Sequence, residues 1–513
     1  MEEPKDYPPL PTEILELVFH HLSAHQLKRA RLVCRAWNET ICGSNLLLDK
    51  FVFMVNHAGT CRKTCSDCAA LANARGRFLN IKLSYILLEN WSLVSEHLQR
   101  VTLNCGYGFK VESLLNMLRN VSNLQSLTLS DVSIDDFKLQ NVKLDFKMKH
   151  LTELSILNGR IPVKCLYVFK KVCVRLVVLN FVDCFDWKCF SDHSDEQLFN
   201  LIFAVRDTLE HLGLTYRNIQ GDLLENIASI DRLELKRLSL DKCDKLKEQH
   251  LISLSRLQPG LEHLEVRSLH FRDENILTEV CQNLANVTCF TLQTIQLNNT
   301  SWLSYSPRLT HLELNSNCTE LDFDEVALPN LKTLRLKWVT FPAGSLQKLF
   351  KKAPNLRELT FIFCTFQNAP ELLESLPQLR NLQHMKLDQI HSFAVRYPNL
   401  LPHQTTNLRR LELIEVRPSF PLHLLCQRSP KLESLHLERI NIVDRQLQLS
   451  CRALKHLREL SLQELTSVTG RFAEYICTYR RNLEVIKVVW CRKIGVSERN
   501  RLNALRERFH VTC

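Results

Sequence analysis

A chain of 513 residues with 45% hydrophobic and 24% charged residues has the make-up of a globular protein, not of a disordered or fibrous one. Its 66 Lys and Arg against 55 Asp and Glu leave a formal charge of +11, which permits an acidic partner without demanding nucleic acid. Twenty cysteines would suit a disulfide scaffold only in a short secreted chain. The opening MEEPKDYPPLP lacks the basic region and apolar core of a signal peptide. No stretch approaches the roughly 20 apolar residues of a membrane span. A cytoplasmic or nuclear protein with reduced thiols, mostly buried as small hydrophobes, is the expectation.

After a tail at 1–9, residues 10–50 read as a helical unit. In LPTEILELVFHHLSAHQLKRARLVCRAWNETI, Thr12 is a suitable N-cap, followed by an apolar stripe of Leu10, Ile14, Leu15, Val18, Phe19 and Leu22. Ser23 and Gln26 have the spacing of a capping box that opens a second helix. A third helical stretch carries Val33, Cys34 and Trp37, and Gly43 ends the unit. So short a unit buries little on its own and leaves apolar surface for a partner. The order Leu10-Pro11, Glu13-Ile14-Leu15, Val18-Phe19, Leu22, Leu27, Val33-Cys34-Arg35, Trp37 resembles the F-box motif. That resemblance implies docking on the Skp adaptor of a cullin-RING ubiquitin ligase through Leu10, Pro11, Ile14, Leu15, Val18, Phe19, Leu22, Leu27, Val33, Cys34 and Trp37. Some of these would instead hold the three helices together, and Leu32 and part of Val33 are expected inside.

Residues 51–97 link this unit to the next and hold a first, weaker repeat, FLNIKL at Phe78. Their loop HAGTCRKTCSDC offers His57, Cys61, Cys65 and Cys68 as four ligands for a tetrahedral zinc. Only Cys65 and Cys68 form a tight pair, so a polar loop with free thiols is the competing reading, and no cofactor is expected.

From 98 to 494 the pattern L-x-x-L-x-L recurs, starting at Leu98, Leu124, Leu151, Leu176, Leu209, Leu235, Leu261, Val287, Leu309, Leu331, Leu356, Leu382, Leu408, Leu432, Leu457 and Leu483. The steps average about 26 residues. Each motif alternates apolar and polar residues as a strand does, and a helical stretch usually follows. In 273–287, Ile276, Leu277, Val280, Cys281 and Leu284 form one apolar stripe, with Asp273 placed to cap it. No single unit buries its apolar face alone, so the units must stack. Strands stack about 4.8 Å apart while helices need roughly 8–10 Å, which bends the stack and lines its concave side with strands. The chain therefore resembles leucine-rich-repeat proteins, in the subclass that places a cysteine at the ninth position, here Cys184, Cys243, Cys364 and Cys491. The fold class is α/β: a three-helix F-box followed by a curved solenoid of about 16 repeats, with a C-terminal cap at 495–513.

Three segments depart from the period. The 22-residue steps after Val287 and Leu309 predict loops or a 3₁₀ turn. The long step after Leu176 places an insertion at 183–197, a candidate binding loop or a tolerated surface insertion. Residues 471–513 hold ten Lys and Arg against four Glu, as a solvated cap or as a site for an acidic or phosphorylated substrate.

Strand positions three, five and seven face outward and are mixed in sign, which does not announce nucleic acid. Arg237, His263 and Arg335 on this face, and the eighth-position aromatics Tyr216, Trp338, Phe363 and Trp490, are the candidate substrate contacts, because aromatics and arginines anchor protein interfaces. The aromatics could instead pack against neighbouring turns. No phosphate loop, nucleophile elbow or zinc-protease motif occurs. Together the two resemblances imply a non-catalytic ubiquitin-ligase subunit that binds a protein substrate and neither nucleic acid nor membrane. The alternative is a binding scaffold that works without ubiquitin.

Overall fold

Alternating burial builds the core. In the repeat strands the fourth and sixth positions are buried and the third, fifth and seventh face out, as at Arg237–Asp241 and Thr333–Lys337. Each fully buried leucine contributes about 1.5–3 kcal/mol of transfer free energy. The computed structural model of the chain describes residues 10–56, 79–84, 97–135, 138, 143–184, 193–215, 221–243, 245–267, 269, 271, 273–294, 299–316, 321, 323, 326–391, 405–417, 420–479, 483–498, 500 and 510–512. It divides into two compact units, Met1–Lys245 and Leu246–Cys513.

The first unit opens with α1 (Thr12–His20), α2 (Ala24–Ala30), α3 (Arg35–Gly43) and α4 (Asn45–Leu48). A parallel ladder follows, through Val52–Asn56, Asn80–Ser84, Arg100–Phe109, Ser126–Ile134, Glu153–Leu157, Val178–Val182, His211–Thr215 and Arg237–Asp241. Its register stacks like on like: Leu127, Leu154, Leu179, Leu212 and Leu238 form one buried column. The ladder begins at Val52, ahead of the first repeat read from the sequence.

The second unit carries the strands His263–Val266, Cys289–Thr294, His311–Ser316, Thr333–Lys337, Glu358–Ile362, His384–Asp388, Arg410–Ile414, Ser434–Glu438, Glu459–Gln463, Val485–Val489 and His510–Thr512, all parallel. The last of these extends the ladder inside the segment predicted to be a cap. The helix Glu274–Asn283 starts where predicted, with the Asp273 carboxylate accepting the Asn275 N–H at 2.9 Å. The 22-residue step after Val287 carries the 3₁₀ turn Ser301–Tyr305, which buries Trp302. Both units are leucine-rich-repeat solenoids: helices pack on helices, as Lys164–Val172 on His193–Val205 and Leu422–Arg428 on Asp444–Ala453.

The turn after each strand has a fixed geometry. The eighth residue takes a left-handed backbone at Asn158, Asp183, Lys242, Trp338, Phe363, Gln389, Glu415, Arg439, Glu464 and Trp490. At most of these positions its N–H continues the ladder onto the next strand, as from Phe363 to the Asp388 carbonyl at 2.9 Å, while the Lys242 N–H donates to the Asp241 carboxylate at 2.8 Å. The ninth-position cysteines are buried. The Cys364 thiol donates to the Leu336 carbonyl one repeat back, at 3.4 Å, and burial pushes it up to about 12. The inward turn is thus made by the eighth residue, and the cysteine fills the space behind it.

Candidate interaction surfaces

The N-terminal helices close on a small core of Leu15, Phe19, Leu27, Ala30, Ile41 and Leu47, against which Leu22, Trp37 and Phe51 pack. Phe19 and Trp37 meet edge to face with centroids 5.0 Å apart. Ser23 forms the predicted capping box with Gln26. Thr12 is not the cap of α1: it is the first helical residue, and the carbonyl of the flanking Pro11 accepts from Ile14 and Leu15. The Lys50 ammonium donates to the Leu22 carbonyl at 2.9 Å and to that of His20, placing a cation on the negative end of α1. Asp49 then ties α4 to the ladder. It binds Arg100, and Asn80 donates to it at 3.2 Å. The Arg100 guanidinium, with help from Asn80, holds the Asp49 carboxyl below its ordinary range against the opposing effect of burial.

This closure sorts the residues that the F-box resemblance assigned to docking. Leu15, Phe19 and Leu27 are corrected to internal core, because the i, i+4 face of α1 and the inner face of α2 are consumed by the bundle. Leu22 and Trp37 are half-buried. Leu10, Pro11, Ile14, Val18, Val33 and Cys34 remain exposed. The expectation that Leu32 and part of Val33 lie inside is overturned: they are 85% and 62% exposed. α2 ends at Ala30, and an extended Cys34 leads into α3, so the connecting turn leaves the core. Exposed Leu17 completes the patch. Its signal was present, since it stands three residues after Ile14 and seven after Leu10.

The outward face of the second ladder is crowded with charges that pair with one another. Glu313 accepts from Lys337 at 2.7 Å and Arg335 at 3.2 Å. Burial opposes its charged form, yet these two cations hold its carboxyl below the ordinary range. Glu412 lies 3.3 Å from His384 and 2.6 Å from Arg410. The imidazole first, and then the guanidinium, overcome burial and hold its carboxyl at about 2. His263 is half-buried on the same face, and Arg335 is exposed.

At the rim, Trp338 and Phe363 are brought together as a parallel stack. Trp490 stands apart at the eighth position of a later repeat and is 73% exposed. Between them, Arg439 and Glu464 form a two-pronged ion pair at 2.9 and 3.0 Å. They line a cavity of about 560 Å³ with Arg417, Ile440, Asn441 and Thr466.

The outward face of the first unit is different. At the fifth strand position, Thr128, Ser155, Asn180, Gly213 and Ser239 present small, uncharged groups in register. A Cβ at Gly213 would come within 2.4 Å of the Asn180 Oδ1. Arg237 sits exposed at the edge of this face. Tyr216, the zinc candidates His57, Cys61, Cys65 and Cys68, and most of the insertion at 183–197 lie outside the described residues. Among the described residues no three His, Cys, Asp or Glu gather to hold a metal. No helix of the described residues is long and apolar enough to cross a membrane.

The compact helical unit at the start coincides with a family match. Residues 8–52 match the F-box-like model, and residues 330–350 match a Leucine Rich Repeat model. The chain joins an F-box-like domain to leucine-rich repeats. Both are protein-interaction modules. No curated protein sequence matches the chain. Among solved structures it is similar to the TLR13–ssRNA13 complex, with TM-score 0.44 and 16% identity over 80% of this chain. It spans 55% of that chain's length. It is also similar to an internalin (inlF) from Listeria monocytogenes str. 4b F2365, with TM-score 0.29 and 14% identity over 78% of this chain and 81% of that one.

Proposed function

We propose that the chain is a substrate-recognition subunit of an Skp–cullin–F-box ubiquitin ligase. The observation that carries this reading is the set of apolar side chains left exposed after the F-box-like core has closed: Leu10, Ile14, Leu17 and Val18 on and before α1, and Leu32 and Val33 in the turn before α3. A folded unit that keeps such a patch in water gains by covering it with a partner groove. The Skp adaptor is the partner that the F-box-like match suggests. The repeats would hold a protein substrate on their outward strand faces, with the Trp338–Phe363 stack, Arg335 and Trp490 as anchors. The chain supplies no reacting group in this scheme. Ubiquitin transfer is accelerated because the substrate is held near the conjugating enzyme's thioester. Its place of action is the cytoplasm or the nucleus.

The test is copurification from cells of the intact chain and of an Ile14→Asp, Leu17→Asp variant, with and without proteasome inhibition. The Skp adaptor and a cullin should accompany the intact chain only, and proteins enriched by the inhibitor become substrate candidates. If neither accompanies the intact chain, the chain is a binding scaffold that works without ubiquitin ligation.

A further inference from the structure

At the turns leading into the strands, charges pair across adjacent repeats. Examples are Arg232 with Asp207 at 3.2 Å, Lys236 with Glu210 at 2.8 Å, Arg409 with Glu433 at 3.3 Å and Arg458 with Glu484 at 3.7 Å. Residues 143–175 are richer in cations than in acids. They hold eight Lys and Arg against two acids. One acid, Asp145, is taken by Arg119 at 2.8 Å, and the other, Glu153, opens a strand.

Two neighbouring repeats consequently set cation against cation. Met148 and Cys173 are buried and bridge the repeats, with the Met148 N–H donating to the Val172 carbonyl at 2.8 Å. The residues flanking that bridge point out: Lys147 and Lys149 on one repeat, Lys171 and Arg175 on the next, all exposed. Among the described residues none of the four has a carboxylate partner. The Lys147 ammonium donates to the Lys171 carbonyl, and the Lys171 ammonium lies over the Tyr167 ring at 5.5 Å. Exposed Val174 and half-buried Tyr167 lie beside the charges.

We infer that this edge of the first unit, away from the outward strand face, is a docking surface for an acidic polypeptide segment with interspersed aliphatic residues. Charge complementarity names the sign: an anionic partner relieves the repulsion among four cations that no carboxylate among the described residues compensates. The footprint names the class. Two repeats lie about 5 Å apart at this edge, which matches carboxylates one or two residues apart on an extended chain. Four cations are fewer than the roughly 6–10 phosphate contacts with which nucleic-acid affinity becomes strong and steeply salt-dependent. Val174 and Tyr167 give aliphatic side chains between the acids something to cover.

The experiment uses the full chain and a fluorescein-labelled peptide of alternating Asp and Leu, read by anisotropy. Single-stranded polyuridine and phosphatidylserine vesicles are run in parallel. The variant Lys147→Gln, Lys149→Gln, Lys171→Gln, Arg175→Gln should weaken the peptide about tenfold or more, as four exposed ion pairs imply. Its thermal midpoint should not fall, because like-charge repulsion is removed. Neutralising exposed Lys332 and Lys493 instead should leave the peptide's affinity unchanged. The pair Lys149→Gln, Arg175→Gln should give an intermediate loss, which keeps the test alive should the fourfold variant misfold. Unchanged peptide affinity in the variants overturns the inference. So does tighter binding of polyuridine or of the vesicles than of the peptide through the same residues.

Discussion

Trp338 and Phe363 stack face to face across adjacent repeats, with centroids 3.9 Å apart and planes 3° from parallel. Both stand on left-handed backbones, φ 60° and 53°. An L residue there costs about 1–2 kcal/mol, which Gly avoids, while an aromatic pair returns about 0.5–1.5 kcal/mol. These magnitudes nearly cancel. Trp338→Gly should therefore change stability by less than about 1 kcal/mol, and Trp338→Ala, which loses the stack but keeps the strain, should be the worse of the two. Urea titrations of the three proteins check the ranking. Ala equal to or better than Gly would mean that the turn stores no strain at this position.

The N-terminal unit separates folding from docking on a single helix. Phe19 faces the core and Leu17 the solvent. Phe19→Ala should cost about 3–5 kcal/mol and abolish protection of α1–α3 in hydrogen exchange. Leu17→Ala should change stability by no more than about 0.5 kcal/mol, yet weaken copurification of the Skp adaptor. A variant of Leu17 that unfolds the unit would place that residue in the core instead.

The repeat was legible because stacking forces a strict apolar period. Leu238, Leu334 and Leu435 are where the alternation puts them, and Asp273 caps where its sequence position says it should. What sequence could not reveal lies in relations between repeats or between helices. Glu371 looks like an ordinary surface acid. Its carboxylate instead accepts from the Gly344 and Gln347 N–H groups at 2.6 and 2.9 Å, capping the helix Ser345–Lys352 of the preceding repeat. In the F-box-like unit, the apolar residues of α1 cover more than half of its circumference, from Leu17 round to Phe19, so spacing groups Leu17 with Ile14 but does not say which part of that arc meets the core. Only the positions of α2 and α3 decide it. The strand Val52–Asn56 has no L-x-x-L-x-L signature, and its pairing with Asn80–Ser84 is what identifies it.

Glu412 should make the second unit acid-sensitive. Its folded value of about 2 lies below its ordinary 4.5. A depressed carboxylate stabilises the fold fully above its unfolded value, and that contribution is lost as the pH falls towards the folded value. Stability should thus decline between about pH 4.5 and 2, and Glu412→Gln should decline less steeply over that window while starting from a lower stability at neutral pH. Thermal midpoints measured across the window test this. Parallel curves for the two proteins would mean that His384 and Arg410 do not favour the charged form.

Cysteine reactivity reports both the core and the docking patch. Burial pushes the Cys173, Cys281 and Cys364 thiols up to about 12 and raises those of Cys184 and Cys426 as well. At neutral pH they are protonated and shielded, so none should react with iodoacetamide in the native chain. Cys34 is exposed between Val33 and α3, within the patch proposed to meet the adaptor. It should alkylate readily in the free chain and be protected at least several-fold once the adaptor is bound, as mass spectrometry of the labelled peptides will show. The buried set is the internal control: its reactivity should not change on binding. Labelling of Cys34 at the same rate in both states would mean that the adaptor, if it binds, leaves the turn at 32–34 uncovered. Protection of Cys34 with Leu17→Ala restoring its reactivity would tie the covered surface to the apolar face of α1, because the two residues belong to different elements.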